Sequence, residues 1–196
     1  MIIDEKVEHI VEKTLSISIA AYNVEKFLKN TLDSLVAPEI MDDIEVLIVD
    51  DGSKDNTAVI GKEFEDNYPN SFKVISKPNG GYGSTINAAI DAATGKYFKT
   101  LDGDDWYDTE NFVKLISDLK RIDADMVITP FTFVNEVTGE KEVVKSDKKF
   151  VGKLTTFETL PFELHPKIKM HSITYKTSLL KDNHIRIGEH CFYTDI

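Results

Sequence analysis

The chain predicts an α/β fold built on a mainly parallel, doubly wound sheet, and three observations carry that prediction. Short apolar runs of strand length alternate with stripes of helical period. Two of those runs, Ile44-Glu-Val-Leu-Ile-Val-Asp-Asp-Gly-Ser53 and Lys96-Tyr-Phe-Lys-Thr-Leu-Asp-Gly-Asp-Asp-Trp106, end abruptly in carboxylates. A glycine-rich turn, Pro78-Asn79-Gly80-Gly81-Tyr82-Gly83, lies between them. Parallel sheets bury both faces, so their strands read as continuous Val, Ile and Leu runs, and their ligands bind beyond the carboxyl ends of the strands. The acidic turns fall at those ends.

Leu15 to Ala20 is the first such run. Phe27, Leu28, Leu32 and Leu35 then form one helical stripe, closed by Pro38. Ile44 to Val49 is the second strand, after which Asp55 or Asn56 can cap a helix carrying Ile60 and Phe64. Tyr68-Pro69-Asn70 breaks that helix, and Phe72 to Ile75 is the third strand. The glycine turn feeds a helix with Ile86, Ala89, Ile90 and Ala93 facing inward and Gly95 at its end. Lys96 to Leu101 is the fourth strand; Phe112, Val113, Ile116 and Leu119 mark the next helix, and Ala124 to Phe133 is extended again. This order requires right-handed crossovers.

After Asn135 the pattern changes. A charged hairpin about Thr138-Gly139 is followed by an irregular stretch from Phe150 to Lys169 with Pro161 and Pro166. Leu179, Leu180, Ile185 and Ile187 suit a small core element. The chain divides into an extension over 1–14, a core over 15–134 and a shorter, irregular region over 135–196. The last of these reads as incomplete, because a helix begins where the sequence stops.

At 196 residues, with 41% hydrophobic and 29% charged residues, the composition is that of one soluble globular domain. With 34 acidic against 23 basic residues the net charge is −11, which argues against a general nucleic-acid surface. The single Cys191 permits no intrachain disulfide. With a charged N-terminus and no run of about 18 apolar residues, this implies a cytoplasmic protein or one at the cytoplasmic membrane face, touching membrane only through residues outside this sequence.

Asp102, Asp104 and Asp105 repel one another unless a cation or ligand offsets the cost. Asp-x-Asp at a strand end suits a divalent ion shared with a phosphate-bearing ligand. A calcium EF-hand is excluded, since Tyr107 stands where the loop needs glycine and Val113 where it needs glutamate. An aspartyl-phosphate phosphatase would place its Asp-x-Asp after the first strand rather than the fourth. Gly81-Tyr-Gly83 has neither the third glycine of a dinucleotide fingerprint nor the lysine of a P-loop. It does precede a helix whose amides could meet an anion.

Four stretches in order, Ser16-Ile-Ser-Ile-Ala-Ala-Tyr-Asn23, Val49-Asp-Asp-Gly-Ser-Lys-Asp-Asn-Thr57, Asn79-Gly-Gly with Asn87, and Leu101-Asp-Gly-Asp-Asp105, resemble glycosyltransferase family 2. The resemblance implies a GT-A fold and transfer of a sugar, with inversion, from a nucleotide-diphosphate donor, UDP-linked, to a glycan or lipid-linked hydroxyl. It places Ala21, Tyr22, Asn23, Asp51 and Gly81 around the nucleotide, with Asp51 accepting from the base. It makes Asp104 a direct ligand of Mg²⁺ or Mn²⁺, sets Asp102 nearer the ribose or a metal-bound water, and puts His171 near metal and phosphates. Asp195, in Phe192-Tyr-Thr-Asp195, matches the catalytic base, with Glu189 as alternate; Thr194 stands where Glu is commoner. Thr85-Ile86-Asn87 replaces Ala-Arg-Asn, so Lys77 or backbone amides would take over the missing phosphate contact. Two other classes stay open, a metal-dependent nucleotidyltransferase and a non-catalytic nucleotide-sugar or carbohydrate-binding domain.

Overall fold

The computed structural model describes residues 12–145, 151–159 and 169–191. Six strands form one sheet in the order β3-β2-β1-β4-β8-β5. They are β1 (Leu15–Ala21), β2 (Ile44–Asp50), β3 (Phe72–Ser76), β4 (Tyr97–Asp102), β5 (Met126–Ile128) and β8 (Ile173–Lys176). The first four run parallel, and β8 lies antiparallel between β4 and β5. A separate hairpin pairs β6 (Phe131–Val134) with β7 (Lys141–Val144). The helices are α1 (Glu25–Asp33), α2 (Thr57–Asn67), α3 (Tyr82–Ala92), α4 (Thr109–Leu119) and α5 (Thr177–Asp182).

The apolar runs explain the layers. In β1, Leu15, Ile17, Ile19 and Ala21 face a core shared with Leu28, Leu32, Phe64, Phe112, Ile116 and Leu119 of α1, α2 and α4. On the opposite face Leu47 and Val49 of β2 meet Ile86, Ala89 and Ile90 of α3 and Leu180 of α5. Period-two alternation thus divides each strand between two cores. A wholly buried leucine such as Leu32 contributes about 1.5–3 kcal/mol through apolar burial, so truncating it would loosen α1 first.

Three local readings change. The extended run 124–133 is two strands in two sheets, because Pro130, with no N–H to donate, lies between β5 and β6. β6 is therefore the first arm of the hairpin, whose turn contains Thr138 and Gly139. Phe27 is 43% exposed and so stands off the buried stripe of α1. Gly95 does not cap α3 in a left-handed conformation; a Cβ there would stand 2.7 Å from the Ser16 amide nitrogen, so the glycine permits close approach to β1. Pro161, Pro166 and Asp195 lie outside the described residues.

Candidate active site

The sheet reverses its winding between β1 and β4, since β2 and β3 lie to one side of β1 and β4 to the other. A crevice at the carboxyl ends of such strands is where α/β sheets hold ligands. The register places Ala20 opposite Asp102 and Ala21 opposite Asp50. The ends of β1, β2 and β4 therefore deliver Ala21, Tyr22, Asn23, Asp51 and Asp102 to one edge.

The turn after β2 is built from within. Asp50 Oδ1 accepts from the Ser53 amide at 3.0 Å, so Asp50, and not Asp51, closes its own turn. The Asp51 carboxylate is 2% exposed and reaches across to the glycine turn. Its Oδ1 accepts from Lys77 Nζ at 2.6 Å and the Gly80 amide at 2.9 Å, and its Oδ2 accepts from the Gly81 amide at 2.9 Å. Ser84 Oγ lies 3.4 Å from Oδ1 and also accepts from Lys77 at 2.8 Å. The anion cradled by the two glycine amides is thus the protein's own carboxylate. Lys77, considered above as a phosphate contact, is the counter-ion of Asp51.

Asn23 adopts a left-handed φ of 55°, a conformation asparagine tolerates better than most residues. Its Oδ1 accepts from the Lys54 amide at 2.8 Å, and its amide donates to Ser53 Oγ at 3.0 Å, so it ties the end of β1 to the turn after β2. Tyr22 beside it is 48% exposed. An aromatic ring bared to solvent beside the crevice offers a flat face to a planar ligand. Asp55 accepts from the Glu25 amide at 3.1 Å and the Thr57 amide at 3.0 Å, so one carboxylate caps α1 and α2 together.

The turn after β4 is pinned through its backbone. The Gly103 amide donates to the Ala20 carbonyl at 3.1 Å, and Thr31 Oγ1 donates to the Gly103 carbonyl at 2.9 Å. A Cβ on Gly103 would stand 2.9 Å from Ala20 O, which accounts for glycine inside this motif. Asp102 Oδ1 accepts from the Tyr82 hydroxyl at 2.6 Å. Asp104 and Asp105 are exposed, and among the described residues no ion pair reaches either. Lost water, then the charges of Asp102 and Asp104, push Asp105 up to about 6 even at this exposed rim.

His171 arrives by sheet topology. β8 pairs antiparallel with β4 as Lys99 with Thr174 and Phe98 with Tyr175. Continuing that register sets the turn Met170–Ser172 beside the end of β4, with His171 facing the Asp102 position. Its ring meets Phe131 edge-on at 4.4 Å. Burial lowers its pKa first, the Asp102 charge opposes that, and Lys99 and Lys169 add to the lowering. Lys99, on β4, is itself buried and donates to the carbonyls of His171 at 2.7 Å and Ile173 at 3.2 Å. Desolvation brings its pKa down to about 7.

The residues brought together are therefore Ala21, Tyr22, Asn23, Asp51, Gly81, Asp102 and Asp104, with His171 beside them. Sequence reasoning missed Tyr82 and Lys99. Tyr82 is visible only as the residue after a glycine pair. A lysine inside an otherwise apolar strand was the signal for Lys99. A cavity of about 260 Å³, lined by Ile90, Leu180, Lys181 and Arg186, lies at the far end of α3 and takes no part in the crevice.

As donors, the carboxylates after β4 are hard oxygen ligands on a backbone-anchored turn, a set that fits Mg²⁺ or Mn²⁺. Among the described residues no three His, Cys, Asp or Glu side chains converge as a closed metal cage. Such ions commonly take one or two carboxylates and complete their shell with phosphate oxygens and water.

Residues 16–181 match the family model described as Glycosyl transferase family 2. Minor teichoic acid biosynthesis protein GgaB of Bacillus subtilis is 30% identical over 183 residues, which are 90% of this chain and 19% of GgaB. The crystal structure of S. aureus TarS 1–349 in complex with UDP-GlcNAc superposes with a TM-score of 0.69 at 25% identity. That match covers 90% of this chain and 49% of the TarS chain. A mannosyltransferase of Pyrobaculum calidifontis, in complex with GDP-Man and Mn²⁺, shares the fold at a TM-score of 0.60 and 15% identity. The chain spans about half the length of the solved TarS chain and about a fifth of GgaB. Among the described residues no helix is long and apolar enough to cross a membrane.

Proposed function

Since the chain belongs to glycosyltransferase family 2, we propose that it transfers a sugar from a UDP-linked donor to a hydroxyl acceptor with inversion at the anomeric carbon. The observation that carries this reading is the convergence of two acidic turns, one around Asp51 and one around Asp102 and Asp104, at the switch point of the sheet. Tyr22 offers its ring to the base, and Asp51 accepts from the base N–H through the capacity its protein partners leave on Oδ2. Asp104 and Asp102 would hold Mg²⁺ or Mn²⁺, which when bound would neutralise charge developing on the departing diphosphate. His171, near Asp102, would face the phosphates.

The step balances as one displacement. The acceptor hydroxyl gives its proton to the Asp195 carboxylate while its oxygen bonds to the anomeric carbon. The bond from that carbon to the diphosphate oxygen breaks, and the electron pair leaves with UDP. Likeness to a teichoic acid biosynthesis protein and to a UDP-GlcNAc complex favours a UDP-sugar donor and a polymer or lipid-linked acceptor.

Calorimetry with UDP and Mn²⁺ tests the donor side, and Asp104→Ala should abolish the metal-dependent part of binding. Unchanged affinity in that variant would count against the reading. Release of pyrophosphate from a nucleoside triphosphate, rather than UDP from a nucleotide sugar, would replace it with nucleotidyl transfer.

A further inference from the structure

Beyond α5 the chain turns back and lies as a strap along α3 and the glycine turn before it. Asn87 holds that strap by three hydrogen bonds. Its Oδ1 accepts from the Ile187 amide at 2.9 Å, and its Nδ2 donates at 2.9 Å to both the Ile187 carbonyl and Glu189 Oε1. The His190 amide donates to the Gly80 carbonyl at 3.0 Å, and Arg186 pairs with Asp91 at 2.7 Å. His190 takes a φ of 53°, so the strap is bent to keep this course.

Shape agrees with the hydrogen bonds. A Cβ on Gly83 would stand 2.0 Å from the Gly188 carbonyl oxygen, and one on Gly81 would stand 3.3 Å from the His190 amide nitrogen. No side chain larger than hydrogen fits at 83 while the strap is seated. Asparagine is a weak helix former, yet Asn87 is buried in the middle of α3. Its amide is satisfied by the strap and not by the helix.

The same glycine turn faces two ways. Its Gly80 and Gly81 amides hold Asp51 on the donor side, while its Gly80 carbonyl holds the strap. The strap carries Glu189, and Asp195 follows Cys191 by four residues in the sequence. We propose that Asn87 is a positioning residue for the transfer step: by clasping the strap it fixes Glu189, the alternate base, beside the glycine turn whose amides hold Asp51. The proposal rests on the sugar-transfer reading and deepens it, because a base must lie within hydrogen-bond reach of the acceptor hydroxyl. Glu189 is exposed, so the Asn87 amide, and not burial, is what orients it.

Two variants of the 196-residue chain test this by different means. Asn87→Ala removes the clasp, and Gly83→Ala expels the Gly188 carbonyl by contact. Three quantities are read: Kd for UDP with Mn²⁺ by calorimetry, UDP release from UDP-GlcNAc with water as acceptor, and hydrogen exchange at the 187–190 amides. Both variants should speed exchange in the strap and lower kcat roughly 10- to 100-fold, the scale of an ångström-level misplacement. UDP affinity should stay within about twofold, the split expected when ground-state binding is untouched. Unchanged turnover in both variants overturns the proposal. So does a loss of UDP affinity in step with turnover together with faster exchange throughout α3, which marks general loosening. A wild-type chain that binds UDP and releases none from UDP-GlcNAc or any other UDP-sugar sinks the transfer reading itself, and the role of Asn87 falls with it.

Discussion

At the end of β2 the Asp51 carboxylate meets a lysine and two backbone amides, whereas at the end of β4 Asp104 and Asp105 are exposed and meet the charge of Asp102. Both turns grow from the same kind of strand and carry the same chemical groups. The first is closed electrostatically, so its charge serves rigidity. The second has an anchored backbone and side chains in mutual repulsion, which a bound cation would relieve. Compensation, not acidity, separates the two turns.

The largest expected effect tests the closed turn. Asp51→Ala leaves the Lys77 ammonium without its carboxylate and should cost about 3–5 kcal/mol of folding stability, as breaking a buried pair does. Asp104→Asn, by contrast, removes a repulsion and should leave stability within about 0.5 kcal/mol or raise it. Urea melts of both variants measure the difference, and equal losses would break the contrast.

Next in size is ligand stabilisation. UDP with Mn²⁺ at about 100 times Kd should stabilise the wild type by about 2.7 kcal/mol. In thermal melts the Mn²⁺-dependent part of that increment should disappear in Asp104→Asn while the unliganded melt stays put.

Lys99 supplies a pH test of a third kind of charge, buried without a carboxylate partner. Its pKa falls from the ordinary 10.5 to about 7 on folding, so between these values the unfolded chain holds a proton that the folded chain lacks. Stability should therefore rise with pH from about 7 towards 10, by at most about 1.4 kcal/mol per pH unit from this group. Lys99→Met should flatten that slope in melts taken across the range. A smaller effect belongs to Tyr82→Phe, which withdraws the hydroxyl from Asp102 and should change UDP–Mn²⁺ affinity by about 1 kcal/mol while leaving the melt nearly unchanged. Smallest is Lys29→Ala, which breaks an exposed pair with Asp33 and should cost under about 0.5 kcal/mol.

Much of this was legible in the chain. β1 to β4 and the helices between them announce themselves because burial on both faces demands unbroken apolar runs, and amphipathic helices demand a stripe. The acidic strand ends were legible for the same reason: three carboxylates in four residues are costly enough to signal a purpose. Harder to see was the split of residues 124–133 at Pro130, since an extended run carries no mark of which sheet it joins.

By itself, then, the sequence determined the parallel core, the edge of the sheet where the acidic turns gather, and the family. Tertiary structure alone decided that β8, more than seventy residues after β4, slots in antiparallel and carries His171 to the Asp102 edge. It also decided that Lys77 neutralises Asp51, and that Asn87 binds a strap a hundred residues away in the chain. The reason is physical. Local order follows from periodicities a few residues long, but the partner of a buried polar group is whichever distant group the completed packing brings within 3 Å, a reach on the order of one hydrogen bond.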